Sequence, residues 1–103
     1  MTPDRVKFRS NNVVAGRPYV LYPIDAKLLL RRAAELRLPV RSVVGLIIGP
    51  GDRIRSTEHV EDFSAALAQG EGSWEAAEQF ITDRDLLDLV FEVTLGHHLD
   101  HAV

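Results

Sequence analysis

Thr82-Asp83-Arg84-Asp85-Leu86-Leu87-Asp88-Leu89-Val90-Phe91-Glu92-Val93-Thr94-Leu95 is the stretch whose conformation decides the fold. Its opening, Thr82 followed three residues later by Asp85, has the form of a helix-capping box. Behind it, Leu86, Leu89, Val90 and Val93 recur at the three-and-four spacing of one helix face, and Leu87, Phe91 and Leu95 add a second apolar side. The spacing predicts a long, almost fully enclosed helix. A strand in which Leu89, Phe91, Val93 and Leu95 alternate is the competing reading, and the cap favours the helix.

Upstream, Ser73 stands where it can cap a short helix with Trp74, Ala77 and Ile81 at spacings of three and four. Before that, Ser56 or Thr57 can cap a helix showing Val60, Phe63 and Leu67 on its apolar side and closing near Gly70 and Gly72. The segment from Pro39 to Ile48 is ambiguous: its β-branched residues favour a strand, while Pro39 suits a first helical turn. Gly49-Pro50-Gly51-Asp52 ends it either way. Leu29, Leu30, Ala33 and Leu36 form the stripe of a first helix over residues 25–37. The first 23 residues hold turn signals at Asn11-Asn12, Gly16-Arg17-Pro18 and Pro23, so they read as irregular, with short extended pieces near 5–9 and 18–22.

The 103 residues fit one domain, and 46% hydrophobic content supplies one modest core. Cysteine is absent, which excludes disulfides, thiolate nucleophiles and cysteine-ligated metal, and points to a cytoplasmic setting. The polar start at Met1-Thr2-Pro3-Asp4-Arg5 gives no sign of export, and no apolar run reaches the ~20 residues of a spanning helix. The net charge of -3 conceals a division: residues 1–55 carry eleven Lys and Arg against four acids, and residues 56–103 carry one Arg against eleven. Such asymmetry serves either a nucleic-acid surface or two complementary faces that meet within or between subunits; the second is the expectation, because no linker separates the halves.

Four segments in order, Ala33-Ala34-Glu35-Leu36-Arg37-Leu38-Pro39, Ile47-Ile48-Gly49-Pro50-Gly51, Ser73-Trp74-Glu75-Ala76-Ala77 and Thr82 through Phe91, resemble the carboxymuconolactone decarboxylase family, which includes alkylhydroperoxidase-like proteins. The resemblance covers roughly residues 25–101 and implies an all-α fold completed by helices of neighbouring subunits in a homo-oligomer. It also turns Pro39–Ile48 toward a short helix. Alkylhydroperoxidase-like members carry a Cys-x-x-Cys pair and a His before the Leu turn. Here Tyr22 and Asp25 stand where the cysteines would lie, and Leu29 stands near the His. Without a thiolate the peroxidase reaction is lost. Decarboxylase-type members are expected to use acid–base groups in the same region, where this chain offers Tyr22, Asp25, Lys27 and Glu35; Asp25 also suits a helix N-cap.

The chain closes on His97-His98-Leu99-Asp100-His101, and on a helix His97 and His101 would have the spacing of two metal ligands. A polar helix end whose cationic histidines complement the dipole is the plainer reading, and no metal is assigned. Residues 33–47 also fit a helix-turn-helix template, but the reading helix would offer DNA only Arg41 and Ser42. Trp74 reads as a core or interface anchor.

The expectation from sequence is thus an all-α bundle of about five helices over residues 24–103, behind an irregular or short-stranded segment over 1–23. Such a protein would bind a small molecule, or catalyse cofactor-free acid–base chemistry on one, with Tyr22, Asp25, His97 and His98 transferring protons or orienting the substrate. Homo-oligomerisation is expected, and membrane and nucleic-acid partners are not. The alternatives are a non-enzymatic protein that binds itself or a macromolecule through its opposed charges, and a helix-turn-helix DNA-binding regulator.

Overall fold

The computed structural model describes residues 13–97. In chain order the elements are β1 (Pro18–Leu21), α1 (Pro23–Leu36), β2 (Val40–Ile48), β3 (Ile54–Asp62), α2 (Ser64–Ala68), α3 (Trp74–Thr82) and β4 (Val90–Leu95), with 3₁₀ turns at Pro50–Asp52 and Asp85–Leu87. The strands form one sheet in the order β1-β4-β2-β3, antiparallel at every pairing. Strands β1 and β2 therefore run in the same direction with β4 inserted between them, and β3 and β4 likewise flank β2. This α+β architecture replaces the expected all-α bundle, and with it the fold that the family resemblance implied.

The correction centres on residues 82–95. Thr82 is the last residue of α3, not a cap, and Asp88 adopts a left-handed conformation (φ 59°) that breaks any helical continuation. Val90–Leu95 then pairs on both sides, with Tyr19 opposite Val93 on one flank and Val43 opposite Val93 on the other. Phe91, Val93 and Leu95 alternate with the half-buried Glu92 and Thr94, as in a strand with one face in the core, while Leu86, Leu89 and Val90 ahead of them supply the helical spacing as well. The side chains of Phe91, Val93 and Leu95 all point into the core cluster.

Two further expected helices are strands. Residues 40–48 follow their β-branched composition and form β2. This removes both the short helix implied by the resemblance and the second helix of a helix-turn-helix. In β3, Ser56 pairs with Leu46 and caps nothing; helix begins only at Ser64 and ends at Ala68. The extended piece expected near 18–22 is β1, whereas that near 5–9 lies outside the described residues.

Helix α1 has Pro23 at its first position, Tyr22 as the N-cap residue, and a left-handed Arg37 at its C-cap whose N–H reaches the carbonyls of Ala33 and Ala34. It buries Ala26, Leu29, Leu30 and Ala33; the last three belong to the expected stripe, whose fourth member, Leu36, is half-buried. Helix α3 buries Ala77, Phe80 and Ile81. Ser73 occupies its N-cap position, but in a left-handed conformation and without a side-chain capping bond. Together α1 and α3 cover the sheet face bearing Leu21, Val43, Phe91 and Val93, and Phe80 meets Phe91 edge-on with ring centroids 6.3 Å apart. Fully burying each such side chain is worth ~1.5–3 kcal/mol. Trp74 packs against this core and donates its indole N–H to the Leu38 carbonyl at 2.8 Å.

Part of the charge asymmetry is neutralised across this helix pair. Lys27 of α1 meets Asp85 at 3.1 Å, and Arg31 meets Glu78 of α3 at 3.0 Å. Basic and acidic halves of the chain thus face each other inside one molecule.

Candidate functional site

Strand β3 is bulged where it passes β2. Val44 stands opposite Val60 and Leu46 opposite Ser56, so residues 57–59 together face Gly45 alone. The Thr57 hydroxyl holds this bulge by donating to the Gly45 carbonyl at 2.7 Å and accepting the His59 N–H at 3.0 Å. A bulge bends its strand and redirects side chains. Here it sets His59 beside Arg84, which follows the end of α3.

Arg84 is fixed from three directions. Its Nε donates to His59 Nδ1 at 3.2 Å, one terminal nitrogen donates to the Phe80 carbonyl at 3.0 Å, and the guanidinium carbon lies 3.8 Å from the centre of the Phe80 ring. Among the described residues no carboxylate pairs with Arg84. Of its five N–H groups, the two hydrogen bonds use two, leaving the rest available to a ligand.

Next to Arg84 lies a cleft of about 410 Å³ between β3 and α3. Phe63 and Phe80 are its buried aromatic lining, and Glu61, Gln79 and Asp83 supply polar groups. Gln79 donates to Asp83 at 2.7 Å. None of these residues was singled out for a functional role from sequence. The legible hint was that Arg84 is the only Lys or Arg among eleven acids in residues 56–103.

The residues expected to form a site are placed differently. Tyr22 lines a second cleft of about 300 Å³ with Pro23, Ile48, Asp85, Leu89 and Val90. Asp25 lies in the first turn of α1, three residues beyond the N-cap position, and so is not the cap itself. His97 is exposed past the far end of β4, whose near end pairs with Leu21 beside Tyr22. A strand of this length spans about 20 Å at ~3.4 Å per residue, so Tyr22 and Asp25 do not share a site with His97. His98 lies outside the described residues, as do Asp100 and His101. Among the described residues, no group of three or more His, Asp or Glu is arranged to hold a metal ion, and no helix is long and apolar enough to cross a membrane.

Comparison with known proteins identifies no relative: no family model, no curated protein and no solved structure matches the chain.

Proposed function

We propose that this chain is a non-enzymatic interaction protein that self-associates through the end of the molecule where α1 begins and the Asp85–Leu87 turn lies. One observation carries the reading. Leu86 is 98% exposed and Ile24 75%, with Leu28 at 46% and Leu87 at 49%. Isolated exposed aliphatic residues are ordinary. These four are grouped, because the Lys27–Asp85 ion pair ties the first turns of α1 to the turn carrying Leu86 and Leu87. A contiguous apolar surface of this kind, rimmed by charge, is the physical mark of an interaction site.

A second copy of the chain is the occupant that the charges favour. The α1 side of the surface carries Arg31 and Arg32, and the turn side carries Asp85 and Asp88. A two-fold axis through the surface sets one copy's basic helix opposite the other's acidic turn, and the contact is made twice. The Tyr22 cleft lies beside Leu86, since its wall includes Asp85 and Leu89. It is therefore placed to receive the partner's Leu86, in the manner of an interface anchor filling a pocket.

Sedimentation equilibrium over a range of protein concentrations tests this. The wild-type chain is expected to form a dimer that persists in moderate salt, since its centre is apolar. Leu86→Asp and Ile24→Asp are each expected to give monomers with unchanged thermal stability. A wild-type protein that stays monomeric, or variants that dimerise as the wild type does, overturns the reading.

A further inference from the structure

We infer that the Arg84 cleft binds a small zwitterion, a free α-amino acid with an apolar side chain, by pairing its carboxylate with Arg84 and its ammonium with Glu61 and Asp83. The site is separate from the surface proposed for self-association, because Arg84 faces His59 on β3 whereas Asp85 faces Lys27 on α1.

Three features of the cleft together select the ligand class. The guanidinium is immobilised by His59, the Phe80 carbonyl and the Phe80 ring, yet has no carboxylate partner among the described residues. A guanidinium held in this way loses little further freedom on binding and presents a planar fork that matches a carboxylate. A simple anion such as phosphate is nevertheless disfavoured, because Glu61 and Asp83 line the same cleft and repel it. A ligand that brings a cationic group a few bonds from its carboxylate satisfies both signs at once. Phe63 and Phe80, buried apart from 8% and 6% of their surface, form the floor of the groove beneath its side chain.

His59 is a positioning residue in this scheme. It accepts from Nε and so helps to fix the guanidinium that lines the cleft. The bulge at residues 57–59 is what brings it there.

The test uses the intact chain and follows the Arg84 Nε–H signal and the backbone amides of Glu61, Phe63 and Phe80 by NMR during titration with L-leucine. Saturable shifts at these positions are expected. Leucinamide, which lacks the carboxylate, and N-acetyl-L-leucine, which lacks the ammonium and imitates a peptide C-terminus, are expected to bind about tenfold or more weakly. Glu61→Gln should weaken L-leucine and, by removing a repelling charge, strengthen N-acetyl-L-leucine, while Arg84→Gln should abolish the response in a chain whose circular dichroism is unchanged. The proposal is overturned if L-leucine produces no saturable shift. It is equally overturned if N-acetyl-L-leucine binds as well, which assigns the cleft to peptide ends, or if binding survives Arg84→Gln. Because the titrations with all three compounds use the wild-type chain, misfolding of a variant cannot decide the outcome.

Discussion

The Thr57 hydroxyl donates to the carbonyl of Gly45 at 2.7 Å, a bond between adjacent strands that fixes the bulge of β3 against β2. Gly45 has no side chain to obstruct it: a Cβ there would lie 3.0 Å from Leu89 Cδ1 and 3.2 Å from His59 Cβ. The position of His59, and through it that of Arg84, therefore follows from a hydroxyl on one strand and the lack of a Cβ on the other. Thr57→Val keeps the shape but removes the donor and acceptor. It is expected to destabilise the chain by about 1–2 kcal/mol in urea denaturation and to shift the Arg84 Nε–H resonance. An unmoved resonance would show that the bulge does not position His59.

Phe91, the second residue of β4, is completely buried and meets Phe80 across the core. Phe91→Ala is expected to cost about 3–5 kcal/mol, and Phe91→Leu distinctly less, in thermal or urea unfolding. Cross-strand nuclear Overhauser contacts between Val93 and both Tyr19 and Val43 are expected in the wild type. Sequential helical contacts through residues 90–95 in their place would refute the sheet.

Trp74 covers Gly72 so closely that a Cβ on the glycine would come within 2.3 Å of the indole ring. The Gly72 carbonyl also accepts the Val40 N–H, joining this turn to the start of β2. Gly72→Ala must displace the ring from Leu38 and is expected to cost about 1–3 kcal/mol, with a change in tryptophan fluorescence of the native state. Trp74→Phe leaves the Leu38 carbonyl without its partner and should destabilise by a similar ~1–3 kcal/mol. Native fluorescence unaltered by Gly72→Ala would contradict the close contact.

Asp62 accepts hydrogen bonds from the Ser64 hydroxyl and, at 2.8 Å, from the Ser64 backbone N–H, so its carboxylate secures the start of α2. These bonds, aided by the nearby Arg41, hold its carboxyl below the ordinary value of 3.8. Since the folded value is the lower one, the stabilisation is complete above the unfolded value and disappears as the pH falls through the folded value. Asp62→Asn is therefore expected to speed amide exchange at the start of α2 near neutral pH and to remove the acid dependence of α2 order. Identical acid profiles for variant and wild type would rule this out.

The two principal helices were legible in the sequence because their signals are local. The spacing of Leu29, Leu30 and Ala33 suffices for α1, although Pro23, read as a turn signal, is in fact its first residue, and the spacing of Trp74, Ala77 and Ile81 suffices for α3. The strands were not legible on the same terms. Val60 and Phe63 are three apart, as on a helix, yet Val60 ends up in an edge strand and Phe63 in the turn that follows it. Thr57, read as a possible cap, spends its hydroxyl on a neighbouring strand. The candidate site was hidden for the same reason, since His59 and Arg84 are separated by 25 positions and meet only through the bulge.

By itself the sequence determined the stripes of α1 and α3, which depend on residues close together in the chain, and the cysteine-free chemistry and opposed charge of the two halves, which depend on composition alone. Only the tertiary structure decided that residues 90–95 are a strand. Their apolar spacing satisfies a helix and a central strand alike, and the choice falls to backbone hydrogen-bond partners in β1 and β2, roughly 50 to 75 residues earlier in the chain.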